Sequence, residues 1–137
     1  MFLDISGAFS EASIQGMLNA LEKRNINKQL KDWIEHMLRN RKVTVYMGDS
    51  SANKELNRGT PQGGILSPTI FNIDTEDGLG RIPEKGPTEG HGYADDIKLI
   101  GTGIDENAIA TNIQKDLRSL EGWAGENALA FNPNKTK

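Results

Sequence analysis

The 137 residues include no cysteine and only two histidines, His36 and His91. The first absence excludes a disulfide framework and a thiolate zinc site. The two histidines, far apart in the chain, read as a helix-face residue and a loop residue, not as ligands. No apolar run approaches the roughly 20 residues of a membrane span. The opening Met1-Phe2-Leu3-Asp4 carries no basic region and no signal-like segment. An intracellular, soluble chain with no membrane partner is therefore expected, in the cytoplasm or the nucleus. Positive charge is also short: Lys and Arg number 16 against 19 Asp and Glu, for a net charge of −3. A self-sufficient nucleic-acid binder is usually basic, so charge alone argues against that class. A hydrophobic fraction of 36% is enough for one packed core, and the length suits one domain. Phe2-Leu3-Asp4-Ile5 reads as a strand without a lead-in, and Asn134 to Lys137 follow directly on another strand-like run. Both ends thus read as cut, and the chain as a piece of a larger protein.

What is present centres on Tyr93-Ala94-Asp95-Asp96. Gly92 precedes this stretch and the β-prone run Ile97-Lys98-Leu99-Ile100 follows it, which predicts strand, Asp-Asp turn, strand. Two adjacent carboxylates repel each other and call for a counter-charge, for which a divalent cation is suited. Mg²⁺ prefers carboxylate oxygen and keeps coordination positions for phosphate. The bland alternative is a polar turn, in which Asp is common.

In chain order, Phe2 to Ile5 predicts a short buried strand, and the small residues of Ser6-Gly7-Ala8 permit close backbone approach. Ser10 or Ser13 can cap a helix with Ile14, Met17, Leu18 and Leu21 on its apolar face, and Asn25 can end it. A second helix from about Asn27 has Leu30, Trp33, Ile34, Met37 and Leu38 as its core stripe. Its polar side, with Lys28, Lys31, Arg39, Arg41 and Lys42, reads as a solvated face ahead of a nucleic-acid contact. Val43 to Met47 alternates as a strand, Gly48 to Ser51 reads as a turn, and Lys54 to Leu56 as a weaker return strand. Arg58 to Pro68 is a glycine-rich loop leading to a helix capped by Ser67 with Pro68 at its first position. That helix runs to about Gly78 and is unusually acidic over Asp74 to Asp77. Residues 80–91 read as a loop. Ile109, Ile113, Leu117, Leu120 and Ala124 define a long amphipathic helix, and Leu129 and Phe131 a last short strand.

With residues 11–65 set aside as a helical and hairpin insertion, the order is β-α-β-β-α-β. This predicts an α+β, ferredoxin-like split βαβ fold. There the first strand lies beside the central hairpin, and Asp4 comes near Asp95 and Asp96. Three carboxylates meeting on a sheet suit two divalent cations about 4 Å apart.

Four stretches then carry a resemblance. Asp4-Ile5-Ser6-Gly7-Ala8-Phe9 resembles the first palm motif of reverse transcriptases, and Arg58 to Pro68, with its Pro-Gln-Gly loop, resembles the second. Tyr93-Ala94-Asp95-Asp96 resembles the third. Trp123 to Thr136, ending Asn132-Pro133-Asn134-Lys135-Thr136, resembles the fourth. Each is weak alone, but all four in order cover nearly the whole chain, at residues 2–10, 58–68, 92–97 and 123–136. The style is similar to non-LTR retrotransposon enzymes, with group II intron maturases the nearest relatives in pattern. Departures are Ser10, where the family often has Asp or Asn, the polar run Asp74 to Gly80, and Ala128 for a common Gly.

The resemblance implies an RNA-directed DNA polymerase palm over residues 1–137, with fingers and thumb missing and the fragment alone inactive. It implies two Mg²⁺ ions, with Mn²⁺ as a substitute, and an RNA template, a DNA primer and a dNTP as partners. Asp4 and Asp95 would ligate both ions, Asp96 would support them, and the Ile5 carbonyl would be a further ligand. Ser6, Gly7 and Ala8 would face the triphosphate, with Phe9 the gate against a 2′-OH. Gln62 and Gly63 would contact the incoming nucleotide and template pair. Lys135 would be a general acid for the leaving pyrophosphate. Other readings stay open: Phe9 as core, Gln62 as a plain loop residue, Lys135 as a solvated lysine. The whole chain also reads as an inactive relic or a non-enzymatic α+β module.

Overall fold

The computed structural model describes residues 1–137 as a mixed α/β chain with two antiparallel sheets. The larger sheet has four strands in the order β4-β5-β1-β6. These are β1 (Phe2–Ser6), β4 (Thr88–Tyr93), β5 (Asp96–Gly101) and β6 (Ala130–Phe131). Alternation decides its faces, because successive side chains of a strand point to opposite sides. Leu3 and Ile5 of β1 and Ile97 and Leu99 of β5 are buried on one side. Asp4 stands opposite Asp96 and Phe2 opposite Lys98 on the other. The buried side carries α4 (Ser67–Leu79) and α5 (Glu106–Glu126), and α2 (Ile14–Lys23) packs on α4. Trp123 is fully buried in this core. Its ring lies so close to Gly78 that a Cβ there would sit 2.4 Å from a ring carbon. Only glycine lets α5 approach α4 at that point.

The local signals explain most element ends. The Ser13 hydroxyl accepts the Gly16 N–H and starts α2, and Asn25 follows its end in the left-handed region at φ 54°. The Asn27 side chain accepts the Gln29 N–H and starts α3 (Lys28–Leu38). A one-turn helix, α1 (Ala8–Glu11), follows Gly7.

Several expectations need correction. Only Ile34 and Leu38 of the α3 stripe are buried, while Leu30 and Trp33 are 47% and 54% exposed. The reason is that α3 packs mainly on α2, so one narrow line of side chains finds cover. The hairpin of β2 (Arg41–Met47) and β3 (Ser50–Leu56) pairs fully up to Met47 opposite Ser50. Its turn is therefore Gly48-Asp49, shorter than Gly48 to Ser51. Ser67 does not cap α4. Its hydroxyl donates to the Pro61 carbonyl at 2.6 Å, and Leu66 takes the cap position. The loop read over residues 80–91 stops at 87, because β4 begins at Thr88, and His91 lies in a strand. The final hairpin turns on Ala94-Asp95, since Tyr93 pairs with Asp96.

Candidate active site

The site forms where β1 meets the β4–β5 hairpin. The register of β1 and β5 sets Asp4 directly across from Asp96. Like charges in that position destabilise a sheet unless a counter-charge is supplied. Asp95 sits in the turn beside them, and its carbonyl accepts the Ile5 N–H at 2.9 Å, which ties the turn to β1. Ala94 takes φ 53° there, a left-handed conformation that costs an L-residue about 1–2 kcal/mol. The turn is thus held by its pairing with β1 and not by the preference of its own residues.

A cleft of about 360 Å³ opens over these acids, and Asp4, Ile5, Ser6, Gly7, Ala8, Phe9, Gln62, Asp95 and Lys135 line it. Asp96 and Gly63 are the two predicted site residues outside this lining. Asp96 is exposed on the neighbouring strand, and Gly63, at φ 80°, faces the adjoining hollow of the Pro61–Pro68 loop. Phe9 is half-buried. Its ring centroid lies 4.9 Å from that of the buried Phe71 at an interplanar angle of 39°, so one face packs while Phe9 also borders the cleft.

The loop that brings Gln62 to the cleft is fastened at its start. The Gly59 N–H donates to the Ala12 carbonyl and the Thr60 N–H to the Phe9 carbonyl, both at 2.8 Å. Gly59 has φ 68°, and a Cβ on it would come 2.4 Å from the Phe9 carbonyl oxygen. Glycine is required there by conformation and by space. Arg41, at the base of the hairpin, donates to the Arg58 and Gly59 carbonyls. Partial burial lowers its pKa from the ordinary arginine value. Beyond Gln62, Arg41, Lys42 and Arg58 line a second cleft of about 510 Å³ that shares Ser10 and Gln62 with the first.

Lys135 lies at the acids. Its Nζ donates to Asp4 Oδ1 at 3.0 Å. That hydrogen bond, followed by the charges of Asp4, Asp95 and Asp96, raises its pKa above the ordinary lysine value. The donor set suits a hard divalent cation, being carboxylate oxygen with no thiolate or imidazole. Asp4 is hydrogen-bonded to an ammonium, however, and no three His, Cys, Asp or Glu side chains surround a common point. The other charged hollow, between α2 and α4, offers no free group. Lys23 pairs with Asp77, Arg24 with Glu76, and Arg81 with Glu126.

Sequence reading missed Ser10 and Asn132 in the cleft lining. Asn132 had a signal, because an Asn before Pro is a turn former. It also missed Asp74, which is 1% exposed with both carboxylate oxygens unpartnered. Burial, and then the nearby Asp77, push its pKa up to about 7 against a smaller opposing effect of Lys23.

Comparison with known proteins bears on this arrangement. The model of the family described as reverse transcriptase (RNA-dependent DNA polymerase) matches residues 1–137. The chain is 30% identical over 139 residues to the RNA-directed DNA polymerase from mobile element jockey of Drosophila funebris. That match covers 98% of this chain and 15% of the relative. It is 26% identical over 144 residues to the probable RNA-directed DNA polymerase from transposon BS of Drosophila melanogaster, covering 99% of this chain and 16% of the relative. It is also 26% identical over 141 residues to the Pol polyprotein from the type-1 retrotransposable element R2 of Nasonia vitripennis, covering 97% and 13%. The chain thus spans about 15% of the length of such relatives. Over its whole length, it belongs to the reverse transcriptase (RNA-dependent DNA polymerase) family.

Proposed function

We propose that this chain is the palm of an RNA-directed DNA polymerase of a non-LTR retrotransposon. Its reaction would be nucleotidyl transfer from a dNTP to a primer 3′-OH on an RNA template. The observation that carries the reading is Asp4 set opposite Asp96, with Asp95 beside them in the turn, next to a cleft bordered by Phe9 and Gln62. The strand order β4-β5-β1-β6 with antiparallel neighbours supports the ferredoxin-like arrangement, with α2, α3 and the β2–β3 hairpin in the insertion.

Asp4 and Asp95 would hold two Mg²⁺ ions, with Asp96 and the Ile5 carbonyl in support. Bound there, such ions would polarise the phosphoryl group and acidify the attacking hydroxyl. The chain's own residues do the positioning. Ser6 and Gly7 offer an exposed, small-residue floor for a triphosphate. The Phe9 ring, braced by Phe71, would occupy the space that a 2′-OH needs. Gln62 stands between the acid cleft and the basic cleft of Arg41, Lys42 and Arg58, which suits a templating strand. Lys135 would protonate the leaving pyrophosphate once released from Asp4.

A second reading, an inactive relic that retains the site, has one observation on its side. A buried and unpartnered Asp74 in α4 is a defect in a helix that supports Phe71 and so Phe9. The test uses a jockey-type polymerase carrying residues 1–137 in place of its matching segment. We expect primer extension on RNA that requires Mg²⁺ or Mn²⁺. No extension, from a folded chimaera whose parent is active, would select the relic.

A further inference from the structure

Lys135 is placed by a turn whose two ends are both tied to β1. At one end the Asn132 N–H donates to the Asp4 carbonyl at 2.8 Å. At the other, Phe2 and Lys137 exchange N–H···O bonds at 2.7 and 3.1 Å. Asn132 organises the turn between them. Its side-chain oxygen accepts the Asn134 N–H at 3.0 Å. Its carbonyl accepts the N–H groups of Lys135 and Thr136, both at 3.2 Å, and the Thr136 hydroxyl at 3.0 Å. The ammonium of Lys135 is therefore delivered to Asp4 by anchored backbone.

We propose that Lys135 is the resident counter-cation of the acid cleft: its ammonium neutralises Asp4 until a divalent cation binds, and the cation binds only by displacing it. The inference rests on the reading of Asp4 and Asp95 as cation ligands. Asp4 and Asp96 face each other across two strands, a pairing that repels without a positive charge nearby. The Lys135 side chain is 65% exposed and that of Asp4 13%. The lysine can swing into solvent without uncovering core, while the aspartate stays in place. An ammonium on a flexible stem is a point charge without the fixed fork of arginine, so its release breaks one hydrogen bond. Convergence of the acids on an ion then follows the departure of Lys135. The affinity of the cleft for a divalent cation is set by this competition as well as by its carboxylates.

The test is Mn²⁺ binding to the 137-residue chain. The free aqua ion is read by electron paramagnetic resonance, and the melting temperature serves as a check of fold. Lys135→Met and Lys135→Gln should bind Mn²⁺ roughly three- to tenfold more tightly than wild type, the scale of one unit charge removed from a water-exposed site. Lys135→Arg, which keeps the charge, should bind no more tightly than wild type. Asp4→Asn should lose most of the binding. If both neutral Lys135 variants bind as wild type does while Asp4→Asn weakens binding, the displacement is overturned and the ligand reading stands. If Asp4→Asn binds as wild type does, no cation sits at Asp4 and both fall.

Discussion

At the scale of single residues, Phe9 is where packing and selectivity make opposite forecasts. Its ring both packs against Phe71 and borders the cleft. In the chimaeric polymerase described above, Phe9→Val should raise the ratio of ribonucleotide to deoxynucleotide efficiency by roughly tenfold or more, because a lost clash acts on one substrate only. A pure packing role predicts an unchanged ratio. Since Phe9 is half-buried, the accompanying loss of stability should be about 1–3 kcal/mol, below the cost of a fully buried ring. Competitive incorporation and a thermal melt separate the two contributions.

Asp74 gives a pH-dependent forecast. Its carboxyl titrates at about 7 in the fold, against 3.8 for an ordinary aspartate, because burial disfavours the anion. Between those values the folded chain keeps a proton that the unfolded chain has lost. Stability contributed by this group is therefore full below about pH 4 and declines as pH rises to about 7. Asp74→Asn removes the charge and should stabilise the protein at neutral pH by about 2–4 kcal/mol, and by little at pH 4. Denaturant melts at the two pH values check this. An equal gain at both would mean that packing, not ionisation, is the cause.

At the scale of elements, α3 and the β2–β3 hairpin stand apart from the sheet. Leu38→Ala, in a fully buried position, should cost about 2–5 kcal/mol. Trp33→Ser should stay within about 0.5 kcal/mol, as expected for a surface position, and a large loss would mean that α3 packs more deeply than its exposure indicates. This element shows what the sequence could and could not reveal. The helical spacing of Leu30, Trp33, Ile34, Met37 and Leu38 is real, but periodicity describes one helix and says nothing about how many neighbours cover it. The start of α3 at about Asn27 and a serine cap on α2, at Ser10 or Ser13, were legible, because a cap needs only its own turn. Ser67 had the right type and place for a cap, yet the Pro61 carbonyl is the competing acceptor, supplied by a loop fold that local pattern does not specify. Asp74 read only as part of an unusually acidic run, and its burial was not legible for the same reason. The packing of α4 against α2 and β4 decides which side of the helix is inside.

At the scale of the molecule, the pairing of β1 with the β4–β5 hairpin was legible from the β-α-β-β-α-β order of elements, and that pairing brings Asp4 to Asp96. The turn that delivers Lys135 was not, since it depends on backbone bonds between the two ends of the chain. The charge balance leads to a further expectation. With a net charge of −3, and with Lys42 and Arg58 near Glu55 and Glu11, the chain alone should bind an RNA–DNA hybrid weakly. The salt dependence should correspond to about three phosphate contacts or fewer. A titration against salt showing a dependence twice as steep would mean that this face grips nucleic acid more strongly than its charge suggests.

The central claim is that Asp4 and Asp95 together hold the chemistry. Its most direct test is the single-turnover rate of dNTP addition by the chimaeric polymerase at saturating Mg²⁺, with Asp4→Asn and Asp95→Asn compared to wild type. The account predicts that each variant stays folded, with a melting temperature near that of wild type, and loses at least about a thousandfold in rate. A rate within a few-fold of wild type for either folded variant would contradict the account.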